Sequence, residues 1–542
     1  MRGCISGATG FALTATPAGR RADARAGKRR IPRFATAGRV ADVEVRAGDW
    51  WWTGSVVGPD ASSACLSLAV DGSLAVLLAG ELYNQDELAG ALGDPGLAEA
   101  GDAQLLLACL KCYGPHAFRL LNGRFAALAA DGGALVAATD HCGGVPLYLT
   151  AVADGRVSVA TEAKTLLAVA DVGAGGHPVA GLRAVRGSDG VHQVPAGGAV
   201  VAEAAAGRPR TRLVRTWTPP LHRRYLPERQ ALREVREALE RAVHRRLRDG
   251  PGHTAVLSGG IDSSAVAALA ASADGALHTV SMGTDLRDEF REARLVADHL
   301  ARTRPGPPGP RHTEIRIGTA ELLAELPWTV WASECTDPEV VEYLLPLAAL
   351  YRRLPTGRPL RILTGYGADI PLGGMHREVD RPAALDDAVA HDMDTFDGLN
   401  EMSPVLSGAA GHWTTHPYWD RDLLESLVTL EAGLKRRHGR DKWVLREAVA
   451  DLLPAETVRR PKLGVHEGSG TTSSFTLLLR EHGVPDARIA AAKGAVVRRL
   501  YDAVVAGAAH PDEIDLAHET KAALAGQDAA GPLVPDPEGA TR

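Results

Sequence analysis

The sequence predicts two domains: an α+β domain made mostly of strands, followed by an α/β domain with a parallel, doubly wound sheet. Short apolar runs alternate with turns from about residue 50 to residue 205, which is typical of a mostly β structure. From about residue 226 helical periodicity takes over, and strand-like runs then alternate with helices, as in parallel sheets. A chain of 542 residues is long enough for two hydrophobic cores, and we place the boundary between residues 212 and 213.

The first half is predicted from apolar runs that are bounded by turn residues. We expect a first strand near Ser6–Thr14, a loop after it, and a helix over about residues 102–117. Further strands are predicted at Cys65–Val70, Leu74–Leu78, Phe125–Ala130, Leu135–Thr139, Val157–Thr161 and Ala199–Val201. The stretches 207–212 and 217–220, rich in Arg and Pro, are interpreted as the boundary and linker.

The second half is predicted as alternating helices and strands. A helix is expected over residues 228–248, and strands are expected at 254–257, 277–282, 312–317 and 360–364. In open parallel sheets, ligands bind at the carboxyl ends of the strands. Residues that directly follow these strands are therefore the first candidates for a functional site.

Composition argues against several classes of function. The formal net charge is −6 and the isoelectric point is near 6.4, so we expect no nucleic-acid partner. No run of 18 apolar residues occurs, so we expect no transmembrane helix. Six irregularly spaced cysteines indicate a reducing compartment and a cytoplasmic protein, and Cys109 and Cys112 are interpreted as core residues. The sequence leaves the oligomeric state open, a homodimer included.

The strongest chemical signal is the stretch Ser258–Ser264, which reads Ser-Gly-Gly-Ile-Asp-Ser-Ser. It follows a buried strand and opens an Ala-rich helix, an arrangement that points backbone N–H groups at an anion. Gly259 and Gly260 allow that anion to approach closely, because they carry no Cβ. Asp262 suits a Mg²⁺ ion that is itself bound to phosphates. The alternative is an ordinary strand, turn and helix in which Asp262 caps the helix.

This stretch resembles the pyrophosphate loop of the ATP pyrophosphatases, a family with an adenine nucleotide alpha hydrolase-like fold. These enzymes activate a carboxylate or carbonyl as its adenylate and release pyrophosphate. The resemblance implies ATP contacts at Val256, Leu257, Ser258, Gly259, Gly260, Asp262, Ser263, Ser264, Ser281, Met282 and Gly365. Lys442 is either a further pyrophosphate contact or a surface lysine without a function.

Four phrases in the first half resemble the glutaminase half of the asparagine synthetases, a domain of the Ntn-hydrolase type. They are Gly80–Asn84, Leu121–Ala126, Asp140–Tyr148 and Ala160–Lys164. Together with the pyrophosphate loop, this resemblance covers nearly the whole chain. It implies a glutaminase-like domain in front of an asparagine synthetase-like ATP-binding domain.

The residues that a working glutaminase of this family needs are replaced. Met1–Gly3 precede Cys4, where the family begins its mature chain with the nucleophilic cysteine, and Ile5 stands in place of a glycine. The expected oxyanion-hole asparagine is Ala79, and the expected acidic pair near residues 102–104 reads Asp-Ala-Gln. We therefore expect an inactive glutaminase domain, so that the attacking amine belongs to the substrate and is not ammonia.

The stretch Thr364–Asp369 ends the fourth predicted strand of the second half. Asp369 suits a second Mg²⁺ carboxylate opposite Asp262, and the alternative is an ordinary turn aspartate. Tyr366 stands where asparagine synthetases place a glutamate. A phenol with a carboxylate partner could take a proton from an amine, whereas the alternative is an aromatic ring that only stacks.

Three longer stretches, 365–378, 391–404 and 460–474, closely resemble the β-lactam synthetases, amide-forming relatives of the asparagine synthetases. This resemblance implies conversion of N2-(2-carboxyethyl)-L-arginine into deoxyguanidinoproclavaminate with ATP and Mg²⁺, in clavulanic acid or clavam antibiotic biosynthesis. It implies Tyr366, Glu401 and Lys462 as catalytic residues. The implied substrate contacts are Tyr343, Tyr366, Gly367, Asp392 and Glu401, and the implied metal ligands are Asp262 and Asp369.

Several alternatives stay open at this point. Asp392 is a substrate carboxylate or a helix cap, and Glu467–Ser474 is a lid over the substrate or a plain surface loop. Other enzymes of the same fold are a carbapenam synthetase, a peptide macrocyclase and an ammonia-dependent asparagine synthetase. Tyr366 argues against the last two. A non-catalytic binding homologue is the alternative from a different class, and the set of acidic and basic groups named above argues against it.

Overall fold

The computed structural model describes most of the chain. The described residues are 8–17, 34–59, 67–152, 154–168, 176–177, 179–204, 209–248, 252–304, 309–355, 359–376, 379, 381–396, 405–461, 468, 470–507 and 509–529. Among these residues, no helix has the length and the hydropathy that crossing a bilayer requires.

Two antiparallel sheets build the first domain. Its strands are β1 (Gly10–Pro17), β2 (Arg39–Ala47), β3 (Trp50–Gly58), β4 (Leu68–Asp71), β5 (Leu74–Leu82), β6 (Gly123–Asp131), β7 (Ala134–Thr139), β8 (Tyr148–Val152), β9 (Val157–Ala160), β10 (Gly176–His177), β11 (Arg183–Ala184), β12 (His192–Gln193), β13 (Gly198–Glu203) and β14 (Arg210–Arg215). One sheet has the order β11-β12-β8-β9-β1-β3-β2, with β10 paired to β8, and the other has the order β14-β13-β7-β6-β5-β4. Inward-facing side chains of both sheets, among them Trp52 and Leu128, share one core.

In the described part of this domain, three helices accompany the sheets: α1 (Gln85–Ala91), α2 (Asp102–Tyr113) and α3 (Ala163–Leu167). The apolar face of α2, which includes Leu106 and Cys109, packs on the outer face of β5. Helix α3 packs beside β8 and β9 of the other sheet. The predicted α+β domain is confirmed.

A parallel sheet forms the centre of the second domain. Its strands are β15 (Thr254–Val256), β16 (His278–Thr284), β17 (Arg311–Ile317), β18 (Arg361–Leu363) and β19 (Trp413–Thr415). They run in the order β17-β16-β15-β18-β19, with every pair parallel. The chain changes direction across the sheet between β15 and β18, which places a crevice at the carboxyl ends of these two strands. The predicted doubly wound sheet is confirmed.

Helices cover both faces of this sheet. They are α4 (Glu228–His244), α5 (Ile261–Ala273), α6 (Phe290–Thr303), α7 (Thr319–Ala324), α8 (Leu326–Ser333), α9 (Pro338–Arg353), α10 (Asp369–Leu372), α11 (Pro382–Thr395), α12 (Val405–Ala409), α13 (Arg421–Thr429), α14 (Ala432–Lys435), α15 (Trp443–Ala448), α16 (Ala455–Arg459), α17 (Thr471–Glu481), α18 (Ile489–Tyr501) and α19 (Leu516–Ala529). Helices α4, α5 and α6 share one core with β15, and α8, α9 and α12 share another with β16 and β18. The apolar positions of α4 repeat at helical spacing, which explains why it lies on this core.

Eight of these strands were not among those predicted from the sequence: β2, β3, β8, β10, β11, β12, β14 and β19. The loop expected after β1 is wrong at residues 39–47, because this stretch forms β2, an edge strand that buries only Val43 and Ala47. Strand β19 has three residues, too few for a periodic signal. The stretch interpreted as a linker includes the start of β14, and the boundary at residue 212 stays a prediction.

Candidate active site

Two loops meet at the crevice between β15 and β18. The first, Ser258–Gly260, leads from β15 to α5, and the second, Thr364–Ala368, leads from β18 to α10. They are in direct contact, because a Cβ at Gly365 would lie 2.3 Å from the amide nitrogen of Ser263. The two stretches that carry the strongest sequence signals therefore lie together.

The first loop has the geometry of an anion cradle. Ser258 N donates to Ser263 Oγ at 3.1 Å, and the two serine hydroxyls share a hydrogen bond of 3.0 Å. Gly259 has a φ of +74°, and a Cβ there would lie 2.5 Å from the carbonyl carbon of Glu292. The N-terminus of α5 begins directly behind this glycine turn, as in phosphate-binding loops. Ser264 is completely buried, so its hydroxyl is not exposed to the crevice.

An ammonium group lies between the two carboxylates predicted to bind metal. Lys442 Nζ lies 2.5 Å from Asp262 Oδ2 and 2.7 Å from Asp369 Oδ1. Burial lowers the pKa of Lys442, while Asp262 acts in the opposite direction. The lysine is completely buried, so its interpretation as a surface residue is wrong.

The same groups show whether a divalent cation fits here. Asp262 and Asp369 lie in the first turns of different helices, α5 and α10, yet their carboxylates converge on one cation, the ammonium of Lys442. Carboxylate oxygens are the ligands that Mg²⁺ prefers, so this donor set fits that ion. Gly260 occupies the N-cap position of α5, so the alternative role of Asp262 as the helix cap is wrong.

A cavity lies beside the first loop, where β15 and β16 end. It is lined by Val256, Leu257, Ser258, Ser281, Met282, Glu289, Pro346, Leu347 and Leu350. The first five are predicted nucleotide contacts, and the structure brings them together. The last three come from α9, which the sequence did not connect with the nucleotide. Apolar walls with a few polar groups are typical of a small-molecule site.

Glu289 links this cavity to the segment before Lys462. Its carboxylate pairs with Arg460, which in turn donates to Ser258 O at 3.5 Å. Arg446 holds the same segment by donating to Arg460 O at 2.9 Å. Burial raises the pKa of Glu289, while Arg460 acts in the opposite direction. The chain therefore lies against the first loop two residues before Lys462.

Aromatic neighbours position Tyr366 in the second loop. Its ring meets His416 edge-on, with centroids 5.6 Å apart. Gly367, with a φ of +94°, lies so close to Trp419 that a Cβ would be 1.7 Å from the indole nitrogen. Trp419 stacks on Phe396 at a centroid distance of 4.3 Å. Tyr366 is half-buried, so this wall fixes the ring and leaves part of it exposed.

Two of the predicted substrate contacts, Asp392 and Tyr343, lie on helices. Asp392 lies in the last turn of α11, and its Oδ2 is 2.7 Å from His376 Nε2. Its alternative role as an N-terminal helix cap is therefore wrong. Helix α11 shares an apolar cluster with Tyr366. Tyr343 lies one turn before Leu347 of the cavity, on the same face of α9.

Comparison with known proteins gives the family. The asparagine synthase family matches residues 234–402 and 402–511, and the glutamine amidotransferase domain family matches residues 55–168. The chain is 58% identical over 501 residues to the carboxyethyl-arginine beta-lactam-synthase of Streptomyces clavuligerus, covering 91% of this chain and 94% of that protein. The chain belongs to the asparagine synthase family.

Other relatives are more distant. Asparagine synthetase 2 of Arabidopsis thaliana is 26% identical over 428 residues, which cover 74% of this chain and 68% of that protein. The solved structure of NMN synthetase from Francisella tularensis is 13% identical and covers 58% of this chain and 99% of that one, with a TM-score of 0.26. That score is too low to support an argument. Within the asparagine synthase family, the chain is thus far more similar to the beta-lactam-synthase than to this asparagine synthetase.

Asp102 of the amidotransferase-like domain is hydrogen-bonded by groups of its own domain. Asp102 accepts hydrogen bonds from Leu82 N and Gln85 Nε2, both at 2.9 Å. Burial raises the pKa of Asp102 to about 6, although these two hydrogen bonds act in the opposite direction. In this member of the asparagine synthase family, the absence of glutaminase activity stays a prediction.

Some predicted residues lie outside the described part of the chain. They are Cys4, Glu401 and Lys462, together with Asp397, a further carboxylate candidate for the substrate guanidinium. The loop predicted at Glu467–Ser474 is wrong for its last four residues, because α17 begins at Thr471.

One cluster that could hold a metal was not singled out from the sequence. Asp140, His141 and Cys142 place their ligand atoms within 4.8 Å of one another. Asp140, however, uses both carboxylate oxygens to accept hydrogen bonds from Phe125 N at 2.8 Å and from Cys142 N at 3.0 Å. These bonds close a turn, and we interpret the cluster as structural.

Proposed function

We propose that this chain is an ATP-dependent β-lactam synthase. It adenylates the carboxyethyl carboxylate of N2-(2-carboxyethyl)-L-arginine and closes the ring to deoxyguanidinoproclavaminate, for clavulanic acid or clavam biosynthesis. The observation that carries the proposal is Tyr366, in the loop that leads to Asp369 and contacts the phosphate cradle at Ser263. The 58% identity to the Streptomyces clavuligerus enzyme supports the choice of substrate.

The first step of the proposal is adenylation. The nucleoside of ATP lies in the cavity beside Ser281 and Met282, and its phosphates lie on the Ser258–Ser263 turn and the N-terminus of α5. The substrate carboxylate attacks the α-phosphorus, and pyrophosphate leaves. Asp262 and Asp369 hold Mg²⁺, which when bound neutralises phosphate charge, and Lys442 adds a positive group beside it.

The second step is ring closure. Tyr366, with Glu401 as its carboxylate partner, removes the proton from the secondary amine of the substrate. The amine nitrogen then attacks the acyl carbon, and AMP leaves with the acyl oxygen. Lys462 stabilises the oxyanion, a contribution of about 2.7–4 kcal/mol for one well-placed donor. Activation of the carboxylate supplies the driving force, and fixed geometry supplies much of the rate.

Asp392 and Tyr343 are the proposed contacts of the guanidinium end of the substrate. A guanidinium matches a carboxylate in charge and geometry and stacks on aromatic rings. Asp392 pairs with His376, so a positive or hydrogen-bonding partner is already placed on this carboxylate. The arginine side chain would replace His376 at that position.

A direct assay tests the proposed function. The purified protein is incubated with N2-(2-carboxyethyl)-L-arginine, ATP and Mg²⁺, without glutamine or ammonia. We expect loss of one water from the substrate, with AMP and pyrophosphate formed in equal amounts. Pyrophosphate release without the dehydrated product would contradict ring closure and retain adenylation, and absence of ATP turnover would contradict both.

Tyr366→Phe separates the two steps. We expect ATP–pyrophosphate exchange to stay within about twofold, while β-lactam formation falls by roughly 10²–10⁴-fold, the usual contribution of a general base. Tyr225→Phe is the control, because that ring is 78% exposed and lies in no site described above. Near-normal ring closure in Tyr366→Phe would contradict the assignment of the base.

A further inference from the structure

A carboxylate of the amidotransferase-like domain is bound to the first residues of the last two strands of the synthase sheet. Glu81 Oε1, at the end of β5, accepts hydrogen bonds from Arg361 Nη1, Trp413 Nε1 and Tyr83 Oη, each at 2.9 Å. Glu81 is buried, with 8% exposure. Although burial raises its pKa, Arg361 and the other donors outweigh that effect and lower the pKa of Glu81 to about 2. The carboxylate is therefore charged and held from three sides.

The partners of Glu81 begin the two strands that precede the Tyr366 wall. Arg361 is the first residue of β18, and Trp413 is the first residue of β19. Tyr83 adds a second contact to β19, with a hydrogen bond of 3.1 Å between its hydroxyl and Thr415 Oγ1. Arg124 of the same domain donates to Thr414 O. One domain thus contacts the first residue of β18 and all three residues of β19 in the other domain.

Strands β18 and β19 have little of their own to fix their register. They pair over only three positions, Arg361–Leu363 against Trp413–Thr415, and β19 lies at the edge of the sheet. A pair this short depends on contacts from outside for its alignment. The contacts of Glu81 with both starting residues supply that alignment.

The far end of the same pair supports Tyr366. Thr364, directly after β18, shares a hydrogen bond of 2.6 Å with His416 Nδ1, directly after β19. Tyr366 N donates to Thr364 Oγ1 at 3.3 Å, and the Tyr366 ring meets His416 edge-on. A slip of β19 along β18 would therefore move the phenol. The nucleotide cavity, in contrast, is lined from β15, β16 and α9 and has no residue of β19.

We propose that Glu81 is a positioning residue for ring closure, which acts from the amidotransferase-like domain through Arg361 and Trp413 on Tyr366. The proposal rests on the proposed function, because it concerns the second step of that reaction. It gives the amidotransferase-like domain a role in synthesis that needs no glutamine hydrolysis. Adenylation does not depend on this contact.

The decisive measurement is the number of AMP molecules released per β-lactam formed. A misplaced amine lets water hydrolyse the acyl-adenylate, which releases AMP and returns the acid. This ratio does not depend on how much of the protein is folded, so a purely structural defect does not change it. For Glu81→Gln we expect about tenfold more AMP per β-lactam, a loss typical of a small displacement of reacting groups, and nearly unchanged ATP–pyrophosphate exchange.

Glu334→Gln is the matched control. Glu334 also forms a buried ion pair between the domains, with Lys164 at 3.1 Å, and both side chains are 5% exposed. Its carboxylate bonds to residues of α3, Ala163 and Lys164, and not to β18 or β19. We therefore expect a loss of stability with an unchanged ratio of AMP to β-lactam. If Glu81→Gln does not fold, Tyr83→Phe removes the hydrogen bonds to Glu81 and Thr415, and a smaller rise in the ratio is expected.

The outcomes separate the inference from the proposed function. A ratio near one in the wild type, a raised ratio in Glu81→Gln and a ratio near one in Glu334→Gln would support the positioning role. An unchanged ratio in both Glu81→Gln and Tyr83→Phe, or an equal rise in Glu334→Gln, would overturn it. A wild type that releases AMP but forms no β-lactam would contradict the proposed function instead.

Discussion

Lys442 shows how a single residue can hold a charged site together. Its buried ammonium bridges Asp262 and Asp369, whose carboxylates would otherwise face each other. Bringing two like charges into a buried site costs free energy unless a cation lies between them. The lysine supplies that cation.

Lys442→Met should therefore destabilise the protein in a metal-dependent way. Removing one member of a buried ion pair typically costs about 3–5 kcal/mol. We expect Mg²⁺ to raise the free energy of unfolding of Lys442→Met by more than it raises that of the wild type, because the ion neutralises both carboxylates. Thermal unfolding with and without MgCl2 measures the difference.

Lys435→Met is the control for this experiment. Lys435 is also completely buried, but its Nζ donates to Val428 O at 3.0 Å and lies outside the site. Its burial lowers its pKa to about 7. We expect the effect of its replacement on stability to be the same with and without Mg²⁺. Equal magnesium effects on the two variants would contradict the role of Lys442.

Asp102 should make stability depend on pH between about 4 and 6. Its pKa is raised to about 6 in the folded protein and is near 3.9 in an unfolded chain. In this interval the folded state binds a proton that the unfolded state has released, so the free energy of unfolding falls as pH rises. Asp102 keeps partial solvent contact, so we expect a change of about 1–2 kcal/mol. Urea unfolding at pH 4.5 and 7 should give a smaller difference in the free energy of unfolding for Asp102→Asn than for the wild type. An equal difference in the two proteins would contradict this role of Asp102.

For single residues, the sequence predicts a role where that role depends on the strand that the residue directly follows. Asp262 and Asp369 each follow a strand closely, so both could be assigned to one edge of the sheet. Glu81 and Glu289 could not be assigned, because their partners Arg361 and Arg460 are far away in sequence. Only the packing of different elements brings such pairs together.

The turn after β18 is the element on which the chemistry depends most. Gly365 permits contact with the phosphate loop, and Gly367 permits contact with Trp419. Between these two contacts lies Tyr366. The turn is therefore pressed between two fixed surfaces, which limits the positions that the phenol can take.

Gly367→Ala should disturb ring closure by crowding this turn. Its φ of +94° disfavours any side chain, and a Cβ would also lie 1.7 Å from Trp419 Nε1. Gly411→Ala is the matched control, since Gly411 has a φ of +82° but nothing within 4 Å of a Cβ. Backbone strain alone costs roughly 1–2 kcal/mol in both variants. We expect a lower unfolding temperature in both and loss of β-lactam formation only in Gly367→Ala, and equal activities would contradict the argument.

The elements that could be predicted are those with long apolar runs. Strands β5 and β6, the helix α4 and the parallel strands β15 to β17 are close to their predicted positions. Strand β2 was missed because five of its nine residues are exposed, which hides the apolar alternation. Strand β19 was missed because its position is set by β18 and by Glu81 and not by its own three residues.

At the scale of the whole molecule, the two domains share a core. Trp413 belongs to the synthase sheet, yet it packs with Trp52 and Leu128 of the first domain and is 1% exposed. Arg124 lies over its ring, with 5.2 Å between the guanidinium carbon and the ring centroid. Burial of one tryptophan side chain contributes about 4–6 kcal/mol. The first domain is therefore part of the folding unit of the second.

A fragment that begins at Leu221 should consequently fail to form the synthase. It keeps the nucleotide cavity and both site loops, but it exposes Trp413 and leaves Arg361 without the carboxylate of Glu81. Because the same cut exposes Arg361 to water, the loss there is that of its charged hydrogen bond to Glu81, about 1.5–3 kcal/mol, in addition to the loss of apolar burial. These costs together are comparable to the whole stability of a typical domain. We expect no cooperative unfolding transition and no ATP–pyrophosphate exchange from the fragment alone.

Co-expression of residues 1–220 with this fragment is the control. The two pieces together contain the whole chain, and only the peptide bond before Leu221 is missing. We expect the two pieces to purify together and to regain ATP–pyrophosphate exchange. If the fragment alone unfolds cooperatively and catalyses the exchange at the rate of the full chain, the shared core is not needed for the site. If the pieces associate but form no β-lactam, the continuity of the chain near Leu221 contributes to ring closure as well.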